Sequence, residues 1–288
     1  MTTSATVPDW DAELQVYEPH RAGIPPLRPY FRDLIQRLPF AAEFSRSGMK
    51  AAHSETVFGQ LWLVLNPLML ALVYFLLVNV ISQSNAGPEA LARIVGGIFI
   101  FYFFSGAVST GAGSVTTGGR LILNMAFPRL LMPLAAVRTA FFRFLPTVPV
   151  YLVFHIIGGG AWTWMMPLGL VFLGLLTLFA MGMAAFMATV QVYFRDASSF
   201  LPYFLRIWLY ISPVLWSPEL AEGRFGQYAK LMVLNPLYSL IGGWTDLTLN
   251  GVMPSATIWI AASAWAIVAL VGGSLYFLSR ERDFAVRI

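Results

Sequence analysis

The chain contains no cysteine, which excludes both a disulfide framework and a thiolate metal site. Histidine occurs only at His20, His53 and His155, too scattered along the sequence to propose a metal cluster. Charge is scarce: 11% of the 288 residues are charged, under half of the roughly 25% usual in soluble domains. Of the 18 basic residues only Lys50 and Lys230 are lysine. No G-x-x-x-x-G-K-[ST] occurs, so the chain has no phosphate-binding P-loop of its own. The glycine-rich stretch from Gly111 to Gly119 has the wrong spacing for one and reads as a small-residue helix-packing or helix-ending region. G-x-S-x-G and H-E-x-x-H are missing as well. The first 60 residues lack the basic and apolar regions of a signal peptide, so no cleavage is expected.

What the chain has in excess is apolar surface, 58% of residues, gathered into long blocks. A bilayer core takes about 20 apolar residues of helix. The expected fold is therefore an all-α polytopic membrane protein with six transmembrane helices, at about 61–81, 94–114, 134–157, 165–190, 198–216 and 256–278. The stretch at about 231–244 is too short to span and carries Asn235-Pro236 and Gly242-Gly243, which suits a re-entrant segment on the outer side. Residues 1–28, polar and rich in proline and acid, read as a flexible cytoplasmic tail. Within 29–60, Phe31, Leu34, Ile35 and Leu38 recur at helical spacing after Pro29, which predicts an amphipathic interfacial helix ended by Pro39. Residues 61–288 form the transmembrane domain. Twelve basic residues fall in the N-terminal region, the loops after spans two and four, and the C-terminus; three fall on the other side. Both termini are therefore expected in the cytoplasm.

All 14 carboxylates lie outside the six spans. Carriers driven by protons or sodium usually hold Asp or Glu at membrane depth, so their absence argues against secondary transport. His155 reads as a satisfied helix-end histidine rather than a proton relay. Arginine does enter the spans, at Arg138, Arg143 and Arg206. An unpaired arginine deep in a span costs at least ~2.5–3.5 kcal/mol, and three accounts of Arg143 are open. The helix begins later and leaves it at the interface; carbonyls freed by Pro146 and Pro149 accept its hydrogen bonds; or it faces a hydrated cavity that receives an anion. Aromatic residues make up 15% of the chain. Tyr203 and Tyr210 share a face in span five, with Trp216 beyond them and Tyr74 in span one. Such rings usually pack or anchor at interfaces, yet their faces also suit sugar C–H surfaces while the hydroxyls hydrogen-bond.

Four short stretches carry a family resemblance. Phe58-Gly59-Gln60-Leu61-Trp62 through Asn66-Pro67-Leu68 resembles the entry to the first helix of type-2 ABC exporter permeases. Phe127-Pro128-Arg129 followed by Pro133-Leu134 resembles their cytoplasmic loop after helix two. Phe194-Arg195-Asp196 with Ser212-Pro213, and then Leu234-Asn235-Pro236-Leu237, match in the expected order. Within that family the chain is similar to the membrane subunits of O-antigen, teichoic acid and galactan exporters, most of all the galactan branch. Where those often carry a basic or aromatic cluster before the first helix, this chain has Ala51-Ala52-His53-Ser54-Glu55-Thr56.

The resemblance implies a non-enzymatic permease subunit in the cytoplasmic membrane, working as a homodimer with two copies of a separate ATPase subunit that binds ATP and Mg. The implied cargo is a polyprenyl-pyrophosphate-linked polysaccharide moved outward. Arg46, Lys50, Arg138 and Arg143 are the candidates for its head group, and Tyr74, Tyr203, Tyr210 and Trp216 for the passage. Arg120, Phe127, Pro128, Arg129, Arg195 and Asp196 are the candidates for coupling to the ATPase. Two other readings stay open: a type-2 permease for drugs or other lipids, and a membrane enzyme acting on polyprenyl-linked sugars. The pentapeptide Val-Leu-Asn-Pro-Leu occurs at 64–68 and again at 233–237, which reads as a chance match because nothing around it repeats.

Overall fold

The computed structural model describes residues 23, 25–43, 45, 58–82, 87–119, 127–217 and 226–287, and among these there is helix and no strand. Among the described residues four helical segments are long and apolar enough to cross a membrane. They contain α2 (Trp62–Ser82), α3 (Pro88–Thr117), α6 (Gly169–Tyr193) and α9 (Ala256–Arg280). A fifth crossing results if α4 (Leu131–Phe144) and α5 (Thr147–Ile157), bent by 43° at their junction, are taken together. The bend has a local cause: Pro146 and Pro149 lack the N–H that would continue the ladder, and their rings crowd carbonyls four residues back.

The long helix α3 is the centre of the bundle. At 30 residues it runs roughly 45 Å, and Ile94–Phe101 are all buried. Around it pack α2, α4, α6 and, less extensively, α5 and α7 (Ala197–Ile211). The tightest helix pair is α6 with α9. There Gly182 and Gly273 lie backbone against backbone, so a Cβ on either would overlap the partner's main chain. Close approach at small residues is the usual source of cohesion where lipid removes the hydrophobic drive.

Two expectations are revised. The stretch at 198–216 is helical only over α7, 15 residues or roughly 22 Å, short of a core about 30 Å thick. Ser212 stops it with extended angles (φ −92°, ψ 154°) because Pro213 disfavours helix at the preceding residue. The 231–244 stretch splits into a 3-10 segment, Gly226–Leu234, and α8 (Pro236–Thr245). The latter continues through a π-turn at Asp246–Asn250 to Gly251, whose φ of 64° ends it. Asn235 splices the two short helices end to end. Its Oδ1 accepts from Trp208 Nε1 at 2.8 Å and from the Leu237 N–H at 3.1 Å, while its Nδ2 donates to the Ile211 carbonyl and Ser212 Oγ, both at 3.3 Å.

The amphipathic helix is present as α1 (Leu27–Gln36). Pro29 sits inside its first turn, where a missing N–H costs nothing. Pro39 does not end the structure: residues 38–43 are helical again after Arg37. Of its apolar face only Leu34 is buried by protein; Phe31, Ile35 and Leu38 stay exposed.

Candidate functional site

Helix α2 is the loosest of the long helices, with Pro67, Ala71 and Tyr74 as its buried stripe at helical spacing. Cavities flank it on both sides. On the α4 side a cavity of about 190 Å³ is lined by Trp62, Asn66, Pro67, Tyr102, Gly106 and Arg143, among others. On the α7 side one of about 580 Å³ is lined by Tyr74, Tyr102, Ser105, Ser109, Arg206 and Tyr210, among others. Tyr102 and Gly106 of α3 belong to both walls. A Cβ on Gly106 would meet nothing within 4 Å, so that wall is open.

Tyr74 and Tyr210, expected in a passage, do meet. Their hydroxyls are 3.0 Å apart and their rings edge to face at 5.9 Å. Trp216 donates from Nε1 to the Tyr210 carbonyl at 3.1 Å and stacks on Tyr238 at 6.3 Å. Tyr238 in turn lines a wider cavity of about 1670 Å³ with Glu89, Arg93, Asp246 and Asn250. Rings thus follow one another from the middle of α2 to the Arg93 end of the bundle. Tyr203 lies on the same exposed face of α7 as Arg206, Ile207 and Tyr210. A face carrying an arginine and two tyrosines is poorly matched to hydrocarbon.

The head-group candidates separate. Arg143 faces α2, level with its first turns at Trp62 to Pro67, so it adjoins the entry of that span rather than its middle. Arg138, five residues earlier and about 140° around the helix, faces away toward α6 and the N-terminal segment. Arg46 and Lys50 lie outside the described residues.

Of the coupling candidates, Phe127, Pro128 and Arg129 gather at the bundle end opposite Arg93. The Arg129 N–H donates to Glu281 Oε1 at 2.7 Å, and its guanidinium Nη1 donates to the Glu281 carbonyl. Tyr30 of α1 accepts from the Leu130 N–H at 3.3 Å. One junction therefore ties α1, the 127–130 turn and the C-terminal segment. The 25 residues of α9 already exceed a ~30 Å core at 1.5 Å each, so Glu281 lies beyond its span. Burial pushes the Glu281 carboxyl above its ordinary range, with Tyr30 and Arg129 opposing. Burial, and then Glu281, raises the Tyr30 hydroxyl. Next to this junction Tyr193 donates to Asp283 Oδ2 at 2.8 Å, under Arg287 at 4.2 Å from its ring. Arg195 and Asp196 are exposed in the α6–α7 turn nearby, and Arg120 is outside the described residues.

Sequence reasoning missed several of these residues. Ser105 and Ser109 line the α7-side cavity, and their i, i+4 spacing inside an apolar run was a legible signal. Nothing in the sequence marks Glu281, one acid in a charged tail, as a buried partner. His155, expected as a satisfied helix-end residue, is instead fully buried against Trp162 at 4.9 Å, with neither ring nitrogen hydrogen-bonded among the described residues. No group of three His, Asp or Glu among the described residues converges into a metal site.

No family model matches the chain. Individual proteins do. An O-antigen export system permease protein RfbA of Klebsiella pneumoniae is 27% identical over 232 residues, 79% of this chain and 87% of its own length. Its namesake from Myxococcus xanthus is 27% identical over 257 residues, 89% of this chain and 98% of its own. The likeness read from four short motifs therefore runs through most of the sequence: the chain resembles the polysaccharide-export permeases of type-2 ABC exporters.

Proposed function

We propose that the chain is the membrane subunit of an ATP-driven exporter that moves a polyprenyl-pyrophosphate-linked polysaccharide, of galactan type, from the cytoplasm outward. The observation that carries this reading is the pair of cavities beside α2. One has an arginine at the entry of the span, and the other has an arginine among tyrosine and serine hydroxyls. Among the described residues neither arginine has a carboxylate partner, and a cation so placed in a low-dielectric site favours an anionic head group. Tyrosine and tryptophan rings leading away from it suit a glycan that must slide without tight hydrogen bonding.

In this reading the chain crosses the membrane six times, the fifth crossing being α7 and α8 in series through Asn235. Both termini are cytoplasmic, the helix takes in Leu27 and Arg28 of the stretch expected as a tail, and α1 lies in the interface with Phe31, Ile35 and Leu38 in lipid. Two copies face each other across the exposed stripes of α2 and α7, which covers Tyr203 and Arg206. Arg143 receives the head group, with Arg46 and Lys50 as further candidates from the sequence, while Arg138 faces α6 and stands apart from it. Energy comes from ATP and Mg in two partner ATPase subunits. They press on the Tyr30–Arg129–Glu281 junction and the Arg195–Asp196 turn. Such closure does work only if it biases two helix arrangements, and a buried junction joining three segments is suited to shift as a unit.

Depleting the chain in its own cell tests this. Polyprenyl-linked glycan should build up on the cytoplasmic side, and Arg143→Ala should do the same while the protein still assembles. Accumulation of a different lipid, or an unchanged glycan distribution on depletion, would overturn the assignment.

A further inference from the structure

The bend between α4 and α5 has a second consequence. Helix α4 packs on both α3 and α6, whereas α5 packs on α3 and makes no comparable contact with α6, so the chain draws away from α6 above Phe141. The gap is a groove of about 820 Å³ on the face away from α2. Its floor and walls are apolar, from Leu134, Val137 and Phe141 on one side and Leu170, Leu173 and Met181 on the other. The Thr177 hydroxyl is turned back onto the Leu173 carbonyl at 2.8 Å and adds no polarity. A single charged side chain, Arg138, heads the groove, and residues 38–42 close that end. Arg138 is held there by donating Nη1 to the Ala42 carbonyl at 2.8 Å and by lying 4.8 Å over the Phe142 ring.

We propose that this groove is a binding site for one anionic glycerophospholipid, its phosphate on Arg138 and an acyl chain along α6. The wall is long enough: Leu170 to Met181 offers about 16 Å of apolar surface to an acyl chain reaching away from Arg138. The charge agrees, since the wall holds a cation and no carboxylate, and basic pockets between helices at the cytoplasmic side are fitted to anionic head groups. The location agrees as well. Arg138 lies closer to the start of α4 than Arg143, which adjoins the first turns of α2, so it falls at head-group level. The lipid would brace the N-terminal segment, already tied here by Ser45 to Thr139 at 2.7 Å, against α4 and α6. This site is separate from the cavities assigned to cargo, and its test reads lipid retention rather than export.

The test uses the full-length chain in mild detergent with matched amounts of phosphatidylglycerol or phosphatidylcholine, bound lipid being counted by native mass spectrometry. Phosphatidylglycerol should be retained about five-fold over phosphatidylcholine, the effect of one arginine near a head group. Arg138→Gln keeps a donor for Ala42 and should bring that ratio to about one. Gly174→Leu fills the groove without touching the backbone, because a Cβ there meets nothing within 4 Å; it should abolish retention of both lipids. Equal retention of the two lipids by the unmodified chain would overturn the proposal, as would full retention by Gly174→Leu. Displacement of phosphatidylglycerol by an equal amount of polyprenyl phosphate would also overturn it, giving the groove to the cargo.

Discussion

The same five residues, Val-Leu-Asn-Pro-Leu, occur twice in this chain and fold in two ways. At 64–68 they lie inside α2, with Pro67 in the helix and Asn66 beside the Arg143 cavity. At 233–237 the helix begins at the proline, and Asn235 is its N-cap with extended angles. Proline disfavours helix at the residue before it, so the second copy follows the local rule and the first breaks it. Partners make the difference. Asn235 meets Trp208, Ile211, Ser212 and the Leu237 N–H, whereas Asn66 meets no hydrogen-bond partner among the described residues. A local sequence offers a conformation; the neighbouring helix ends decide whether it is taken.

Substitutions can break that contrast, and the largest effect belongs to Asn235→Ala. It removes the cap and strands the Trp208 indole N–H, so a loss of about 2 kcal/mol is expected. Thermal melting of the detergent-solubilised protein should fall by about 4 °C, and an unchanged melting point would mean the splice carries no weight. Pro67→Ala works in the other direction. It restores an N–H to the Leu63 carbonyl, so α2 should gain about 1 kcal/mol, seen as a higher melting temperature and slower amide exchange at Leu68 and Leu70. A lower melting temperature would show that the ring's packing matters more than its missing donor. Pro236→Ala should cost about 0.5–1 kcal/mol, since proline at a first helical position chiefly restricts the unfolded chain. Asn66→Ala should stay within about 0.5 kcal/mol yet lower glycan export by altering the wall beside Arg143. If it instead melts as early as Asn235→Ala, the two copies are not structurally distinct.

Several features were readable from residues alone. Continuous apolar runs located α2, α3, α6 and α9, because a helix that buries its own backbone bonds is the way to place 20 apolar residues in lipid. Pro146 and Pro149 were read only as freeing carbonyls for Arg143, whereas they bend the expected span 134–157 into α4 and α5. The amphipathic pattern of Phe31, Leu34, Ile35 and Leu38 announced α1, although Pro39 proved no barrier to helix beyond it. The run at 198–216 was overestimated, since hydropathy continues past Ser212 while the backbone cannot, given Pro213. The site was less legible. Arg138 and Arg143 look like one basic group in a linear string, yet helical geometry turns them toward different cavities. Tyr74 and Tyr210 touch across 136 positions, and Arg129 and Glu281 across 152, with no local pattern to pair them.

Composition and order therefore determined that this is a chain of helices matched to a bilayer, without carboxylates in its spans and without a P-loop. Those properties are set residue by residue, by transfer of side chains to hydrocarbon and by hydrogen bonds closing within each helix. Tertiary structure decided the rest: which arginine faces which cavity, that α7 and α8 join through Asn235, and that Glu281 is buried beneath Tyr30. These depend on how helices lie beside one another. In lipid that choice rests on close packing at residues such as Gly182 and Gly273 and on a few polar contacts between distant parts of the chain, which no local stretch of sequence contains.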